Sequence, residues 1–308
     1  MNNTQAANNN RKKRAFRENI VAILFLLPAI LFLMAFMAYP LVYSGYLSFM
    51  KWDGVSAKVF IGFENFRNIL GDAYFWRALI NNGIIAGVAL LCQVFMSCAI
   101  AYALVRMIGF VQRLYMFFYL VPVVISEICI GLLWGFIYNP YFGLLNNGLK
   151  AVGLGNLATG WLGTPETAFP AVINVMNFTY MGLYILLFVA AIQNIPDSVY
   201  DAALIDGAGH TRTFFSVVIP MIWESVQSTA LLCVISSFKT FSLVFVLTNG
   251  GPNHASDVLS TYLYKTGFNS FQMGYASTIG FVQMLLTAFM GIIVISLLRK
   301  TSVGAYDV

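Results

Sequence analysis

Six apolar stretches, each long enough to cross a hydrocarbon core, constrain this chain more than anything else in it. They run about 20–39, 80–105, 114–138, 168–195, 222–247 and 273–298, and a helix needs about 20 mostly apolar residues to span. Each is continuous, without the alternation over about 10 residues that marks a barrel strand. Helices are therefore expected, because a helix satisfies its own backbone in lipid. Charged residues are only 9% of the chain, against about 25% in soluble domains, which rules out a soluble reading. The fold class expected is all-α integral membrane.

Lysine and arginine set the expected orientation. The run "RKKRAFR" places five positive charges before the first span, which predicts a cytoplasmic N-terminus. Arg106, Arg113, Arg212, Arg299 and Lys300 then fall on the same side, making ten, against six on the other: Lys51, Lys58, Arg67, Arg77, Lys150 and Lys265. Six spans return the C-terminus to the cytoplasm. The expected organisation is a polar tail 1–18, a membrane-spanning body 19–300 and a tail 301–308. The first span is longer than a signal-peptide core of about 7–15 residues and lacks an A-x-A site, so it reads as a retained helix.

Soluble chemistry is poorly represented. The four cysteines fall inside apolar spans and form no C-x-x-C. The two histidines, His210 and His254, lie far apart on opposite predicted sides, so no metal cluster is suggested. "GLLNNGLK" breaks the phosphate-loop pattern and reads as a turn. No catalytic residue, metal or cofactor is expected in the chain, and nothing suggests nucleic acid.

The polar sequence "NIPDSVYDAALIDGAGHTRTFFSVVIP" between the fourth and fifth spans is the strongest local signal. Pro196 should end the fourth span, and Asp197 or Ser198 is expected to cap a short helix outside the bilayer. Gly207 permits a tight turn or close backbone approach. "HTRTFFSVV" should start a second short helix, and Pro220 marks re-entry. The result expected is a helix-turn-helix elbow over 196–220, and the alternative is an ordinary interhelical loop.

The spacing Asp201-Ala202-Ala203, three residues, Gly207, nine residues, Val217, one residue, Ile219-Pro220 resembles the EAA loop of ABC importer permeases, with Asp for Glu, Val for Ile and Ile for Leu. "GFENFRNILGDAYFWRALINN", "NPYFGLLNNGLKAVGL" and "LTNGGPNHASDVLSTYLYKTGF" are similar to segments of the carbohydrate branch of that family, the last to a Gly-Gly-Pro signature of the maltose-permease type. The resemblance covers most of the chain from residue 62 onward. It implies a six-helix subunit of a binding-protein-dependent importer in a prokaryotic inner membrane. Its implied partners are a second homologous permease, two ATPase subunits carrying ATP and magnesium, and an extracytoplasmic sugar-binding protein. Asp201, Ala202, Ala203, Gly207 and Pro220 would couple to the ATPase.

Polar residues inside spans are expensive in lipid and mark paths or partners. The fifth span carries Thr229, Cys233, Ser236, Ser237 and Thr240 on one helical face, and the fourth carries Asn174, Asn177, Thr179, Tyr180 and Tyr184. Counting from the loop, the positions that contact sugar in maltose-type relatives correspond here to Thr179, Tyr180, Leu183, Cys233, Ser237 and Thr240. Plain helix packing is the other reading of such a stripe. Glu127 and Lys239 are deep charges that meet substrate, a partner subunit or each other, and Lys239 can also snorkel outward. Trp134 and Tyr138 suit an interfacial aromatic belt or sugar stacking. Three functions stay open: a sugar importer, an importer of a glycerol-phosphate-like anion meeting Lys239, and an autonomous carrier. Paired broken helices would favour the carrier, and none is legible.

Overall fold

A computed structural model describes residues 23–107 and 109–303. The basic run 11–17, the remainder of the N-terminal tail and residues 304–308 lie outside the described residues. Among the described residues, four helices are long and apolar enough to cross a membrane: α1 (Ile23–Leu47), α3 (Ala73–Val105), α7 (Pro165–Gln193) and α13 (Met273–Val303). Between α1 and α3 lie a small antiparallel hairpin, β1 (Met50–Lys51) and β2 (Val59–Phe60), and helix α2 (Glu64–Gly71).

Two further spans are broken. Helices α4 (Gly109–Val124) and α5 (Glu127–Ile137) meet at 101°, and α9 (His210–Met221) meets α10 (Trp223–Lys239) at 77°. The continuous third span expected from hydropathy is thus a bent pair. Pro122 lacks the amide that would bond the preceding turn of α4, and Ser126 sits in extended conformation (ψ 135°) before α5 begins. The fifth span also stops early: Thr240 and Phe241 leave helical geometry before α11 (Ser242–Thr248). Counting each bent pair as one span gives up to six crossings. Shorter helices α6 (Leu144–Ala151), α8 (Asp197–Ile205) and α12 (Leu259–Tyr264) occupy the connections.

Helix α7 is the hub. It packs on the C-terminal half of α3 and on α4, while α10 packs on α13 and the N-terminal half of α3. Gly182 makes one of these contacts possible, since a β-carbon there would lie 1.8 Å from the Tyr119 carbonyl of α4. Apolar burial divides into two main clusters along α7. One gathers Val94, Cys98, Ile185, Phe188, Ile192, Val218 and Ile222 toward the α8–α9 elbow. The other gathers Ile130, Val172, Val175, Leu243 and Val244 toward the hairpin. Tyr180 touches both. By contrast, none of the most apolar window of α1 is buried, although that helix reaches α13. A helix apolar on every side suits contact with lipid or another chain.

At the hairpin end, polar side chains lock the connections. Asn65 Nδ2 donates to the carbonyls of Ser48 and Met50, both at 3.0 Å. Asp72 caps α3 by accepting from the amides of Tyr74 (2.9 Å) and Phe75 (3.2 Å). Its other oxygen accepts from the hydroxyls of Tyr262 (2.5 Å) and Tyr275 (2.6 Å). Burial opposes ionisation of Asp72, but the two hydroxyls and two amides outweigh it and hold the carboxyl below its ordinary range. Asp72 thus separates α2 from α3 and caps the second of them. Ile69 and Phe75 are buried on either side of the cap, whereas Leu70 is exposed.

Candidate functional site

Where the two core clusters part, the break in the fifth span and the start of α5 leave a cavity of about 380 Å³. Helix α3 contributes Gln93, and α5 contributes Glu127. Met176, Tyr180, Leu183 and Tyr184 come from α7, and Leu232, Ser236, Ser237 and Lys239 from α10. Thr240, Phe241 and Ser242 complete the wall. Hydroxyls, one amide, one carboxylate, one ammonium and three aromatic rings thus surround a single space.

Local geometry explains how each polar group gets there. Glu127 opens α5, so its carboxylate sits at the positive end of that helix dipole. It also accepts from the Tyr180 hydroxyl at 2.6 Å, a charge-assisted bond of the stronger kind. Lys239 is the last residue of α10, where a cation complements the carbonyl end. Its side chain also borders a groove between α10 and α13 that contains Gly280, Thr287, Ala288 and Gly291.

Gln93 lies in a π-helical stretch, Leu90–Met96, within α3. Such bulges re-aim side chains and recur at functional sites. Only 4% exposed, Gln93 donates from Nε2 to Asn177 Oδ1 at 3.1 Å, and its Oε1 accepts from Cys233 Sγ at 3.8 Å.

Of the residues singled out in the sequence, Tyr180, Leu183, Ser237, Thr240, Glu127 and Lys239 line this one cavity. Asn177 and Cys233 stand behind Gln93 and orient it. Thr179 is buried, with its hydroxyl donating to the Val175 carbonyl at 2.7 Å. Gln93, Phe241 and Ser242 were not singled out. A lone glutamine in an apolar span was the available signal for the first. The other two depend on the helix break, which hydropathy does not register.

A wider recess of about 670 Å³ opens at the hairpin end. Many of its polar groups are already engaged: Asn65 and Asp72 as described, and Asp53 through the amides of Val55 and Ser56. Those amides, Ser56 first, hold the Asp53 carboxyl at about 2.

The elbow is a separate feature, formed by α8, a turn and α9. Neither Asp197 nor Ser198 caps α8; Pro196 takes the cap position in extended conformation, and Asp197 is the first helical residue. Gly207 has φ +71°, with Gly207 N donating to Leu204 O (3.0 Å) and Ala208 N to Ala203 O (2.9 Å). This pair of bonds is the glycine-terminated helix end known as the Schellman motif. Nothing lies within 4 Å of where its β-carbon would be. Asp201 and Ala202 are exposed, Ala203 is buried, and Pro220 is exposed within α9. Arg106, the residue just past the end of α3, reaches the Tyr102 hydroxyl (2.5 Å) and His210 Nδ1 (2.7 Å), fastening the elbow to the bundle.

A helical membrane bundle with interrupted spans around a polar cavity, and a fastened elbow at one end, has the form of a transport permease. Residues 93–303 match the family model for the binding-protein-dependent transport system inner membrane component, and the chain belongs to that family. It is a multi-pass inner-membrane transport component, not an enzyme. It is 39% identical over 275 residues to a probable ABC transporter permease protein, YurN, of Bacillus subtilis, covering 88% of this chain and 93% of that one. It is 31% identical over 309 residues to the diacetylchitobiose uptake system permease protein NgcF of Streptomyces coelicolor, covering 96% and 86%. The fold matches a crystal structure of a bacterial ABC transporter involved in the import of the acidic polysaccharide alginate. That match has a TM-score of 0.82 at 21% identity and covers 94% of this chain and 99% of that one.

Proposed function

We propose that this chain is one of two permease subunits of an ATP-driven sugar or oligosaccharide importer. The observation that carries the reading is the cavity at the helix breaks. Its hydroxyls, the Gln93 amide and the Phe241 ring suit a neutral polyhydroxylated solute, which needs donors and acceptors in equal measure and an apolar face to stack on. The relative named for diacetylchitobiose uptake supports the substrate class. The residues assigned to the path are Glu127, Asn177, Thr179, Tyr180, Leu183, Cys233, Ser237, Lys239 and Thr240. Six of them line the cavity, Asn177 and Cys233 support it, and Thr179 is the weakest member.

The elbow is the contact for an ATPase subunit. Asp201 offers a charge, Ala202 and Ala203 leave little bulk, and Leu204 and Ile205 are 74% and 85% exposed, an apolar flank unpartnered among the described residues. Gly207 turns the chain back, and Pro220 joins the elbow to the fifth span. Both termini face the cytoplasm with the elbow, and the hairpin end faces outward. There a solute-binding protein delivers substrate. A second permease completes the path, and two ATPases supply ATP and magnesium chemistry. Packed helices then switch between discrete arrangements rather than deforming gradually.

A second reading rests on Lys239, an ammonium on the cavity wall that would meet an anionic solute of the glycerol-phosphate kind. Reconstitution decides between them. Liposomes containing both permeases, the ATPases and the binding protein should accumulate labelled neutral oligosaccharide when ATP is supplied. Competition by a sugar phosphate but not by neutral sugars would favour the anion, and accumulation by this chain alone would overturn the importer.

A further inference from the structure

The stop in the fifth span creates a problem that the structure solves in an unexpected way. The last carbonyls of α10 have no helical partner, and lipid offers none. Two of them are met by side-chain amides from different helices. Asn82 Nδ2 of α3 donates to the Ser237 carbonyl at 2.8 Å, and Gln283 Nε2 of α13 donates to the Phe238 carbonyl at 2.7 Å.

Each amide then reaches onward to the start of α12. Asn82 Oδ1 accepts from the Leu259 amide at 2.9 Å, and Gln283 Nε2 also donates to the Ser260 hydroxyl at 2.9 Å. Consecutive residues at the end of α10 are thus joined twice, through two independent helices, to consecutive residues of α12. Satisfying the helix end requires only the first contact of each pair. The second contacts connect the cavity wall to the segment entering from the hairpin end.

That segment is itself stiff. Asn81 Nδ2 holds the carbonyls of Ala255 (3.0 Å) and Asp257 (2.8 Å). Asp257, 1% exposed, accepts from Lys265 Nζ at 2.9 and 3.0 Å, from the Thr261 hydroxyl at 2.9 Å, and contacts His254 Nδ1. Gly250, at φ +72°, makes room for it, since a β-carbon there would lie 1.6 Å from Asp257 Oδ1. A push on residues 249–261 is therefore delivered at Leu259 and Ser260 rather than absorbed in the loop.

We propose that Asn82 and Gln283 form a paired amide clasp that makes the 249–261 segment and the broken end of α10 move as one body. A solute-binding protein seated at the hairpin end thereby resets the cavity wall at Ser237 and Thr240. Both side chains are positioning residues and need not touch solute. The inference rests on the importer reading given above.

The test uses the whole transporter in lipid nanodiscs with its own purified binding protein. ATP hydrolysis is measured with and without that protein, together with labelling of Ser236→Cys by a water-soluble thiol reagent in a chain whose four cysteines are replaced. With the clasp intact, the binding protein should change both rates about fivefold or more, the span of an ordinary coupling between sites. In the double variant Asn82→Ala, Gln283→Met, both responses should fall below about twofold while basal hydrolysis is kept. A double variant that still responds fully overturns the clasp. So does one whose basal and stimulated rates fall in proportion, because that marks a scaffold role only. If the double variant does not assemble, Gln283→Met alone, at a half-buried site, must at least halve the response for the clasp to stand. Absence of any response in the unsubstituted transporter would instead sink the importer reading.

Discussion

The cavity and the elbow are built by opposite means. Around the cavity, polar groups are consumed by one another: Tyr180 by Glu127, Gln93 by Asn177 and Cys233, and the frayed end of α10 by Asn82 and Gln283. The elbow keeps its own backbone satisfied through the turn at Gly207 and leaves Asp201, Ala202, Leu204 and Ile205 facing outward, unspent. One region is shaped by what this chain holds in place, and the other by what it leaves available. Damage in the first should therefore appear as loss of assembly or of solute handling. Damage in the second should appear only when partners are present.

The largest effect is expected at Gly182. Gly182→Val must force α4 away from α7, because even a β-carbon would overlap the Tyr119 carbonyl. Overpacking costs about 1–3 kcal/mol, sometimes more. Thermal melting of the purified complex should drop by several degrees, and an unchanged melting point would mean the helices do not meet there.

Next comes Glu127→Leu, which leaves the Tyr180 hydroxyl without its acceptor inside the bundle. Losing a hydrogen bond to a charged group is worth about 1.5–3 kcal/mol, so uptake should fall roughly 10- to 100-fold while ATPase docking is preserved. Glu127→Gln, which keeps an acceptor, should fall less. Equal loss in both would show that the charge, not the bond, matters. Ser237→Leu or Thr240→Leu should likewise impair uptake more than assembly, and unchanged transport kinetics would remove those positions from the path.

At the elbow, Gly207→Val places a β-branched residue at φ +71°. The strain is about 1–2 kcal/mol, with no clash to add. The complex should still assemble, but ATP hydrolysis should proceed with less uptake per turnover; a normal ratio would break the contrast between the regions.

The smallest effect concerns pH at the hairpin end. The folded-state pKa of Asp72 is depressed, so its contribution to stability is present above the ordinary value of 3.8 and is lost as pH falls through the lower folded value. Between pH 5 and pH 3, the melting point of the unsubstituted chain should fall more than that of Asp72→Asn, by about a degree or two for a contribution this exposed to solvent. Parallel curves would show that the carboxylate is not carrying the link to Tyr262 and Tyr275.

Hydropathy alone was enough to establish a helical membrane protein, because spanning lipid requires long apolar stretches whatever the fold. The elbow was legible for a similar reason: its turn depends on a left-handed residue at a fixed distance from two prolines, and its bonds are between near neighbours in sequence. Glu127 and Lys239 could be flagged because charge inside an apolar span is costly wherever the helix sits. The helix breaks were only partly legible: Pro122 in the third span was a local signal that hydropathy passes over. Thr240 looks like an ordinary span residue, and only the amides arriving from α3 and α13 make the interrupted end of α10 tolerable. Local chemistry therefore settled which segments cross and where the chain turns. Contacts between residues as far apart as Asn82 and Ser237, which no local pattern encodes, decided where the spans open and which side chains share the space between them.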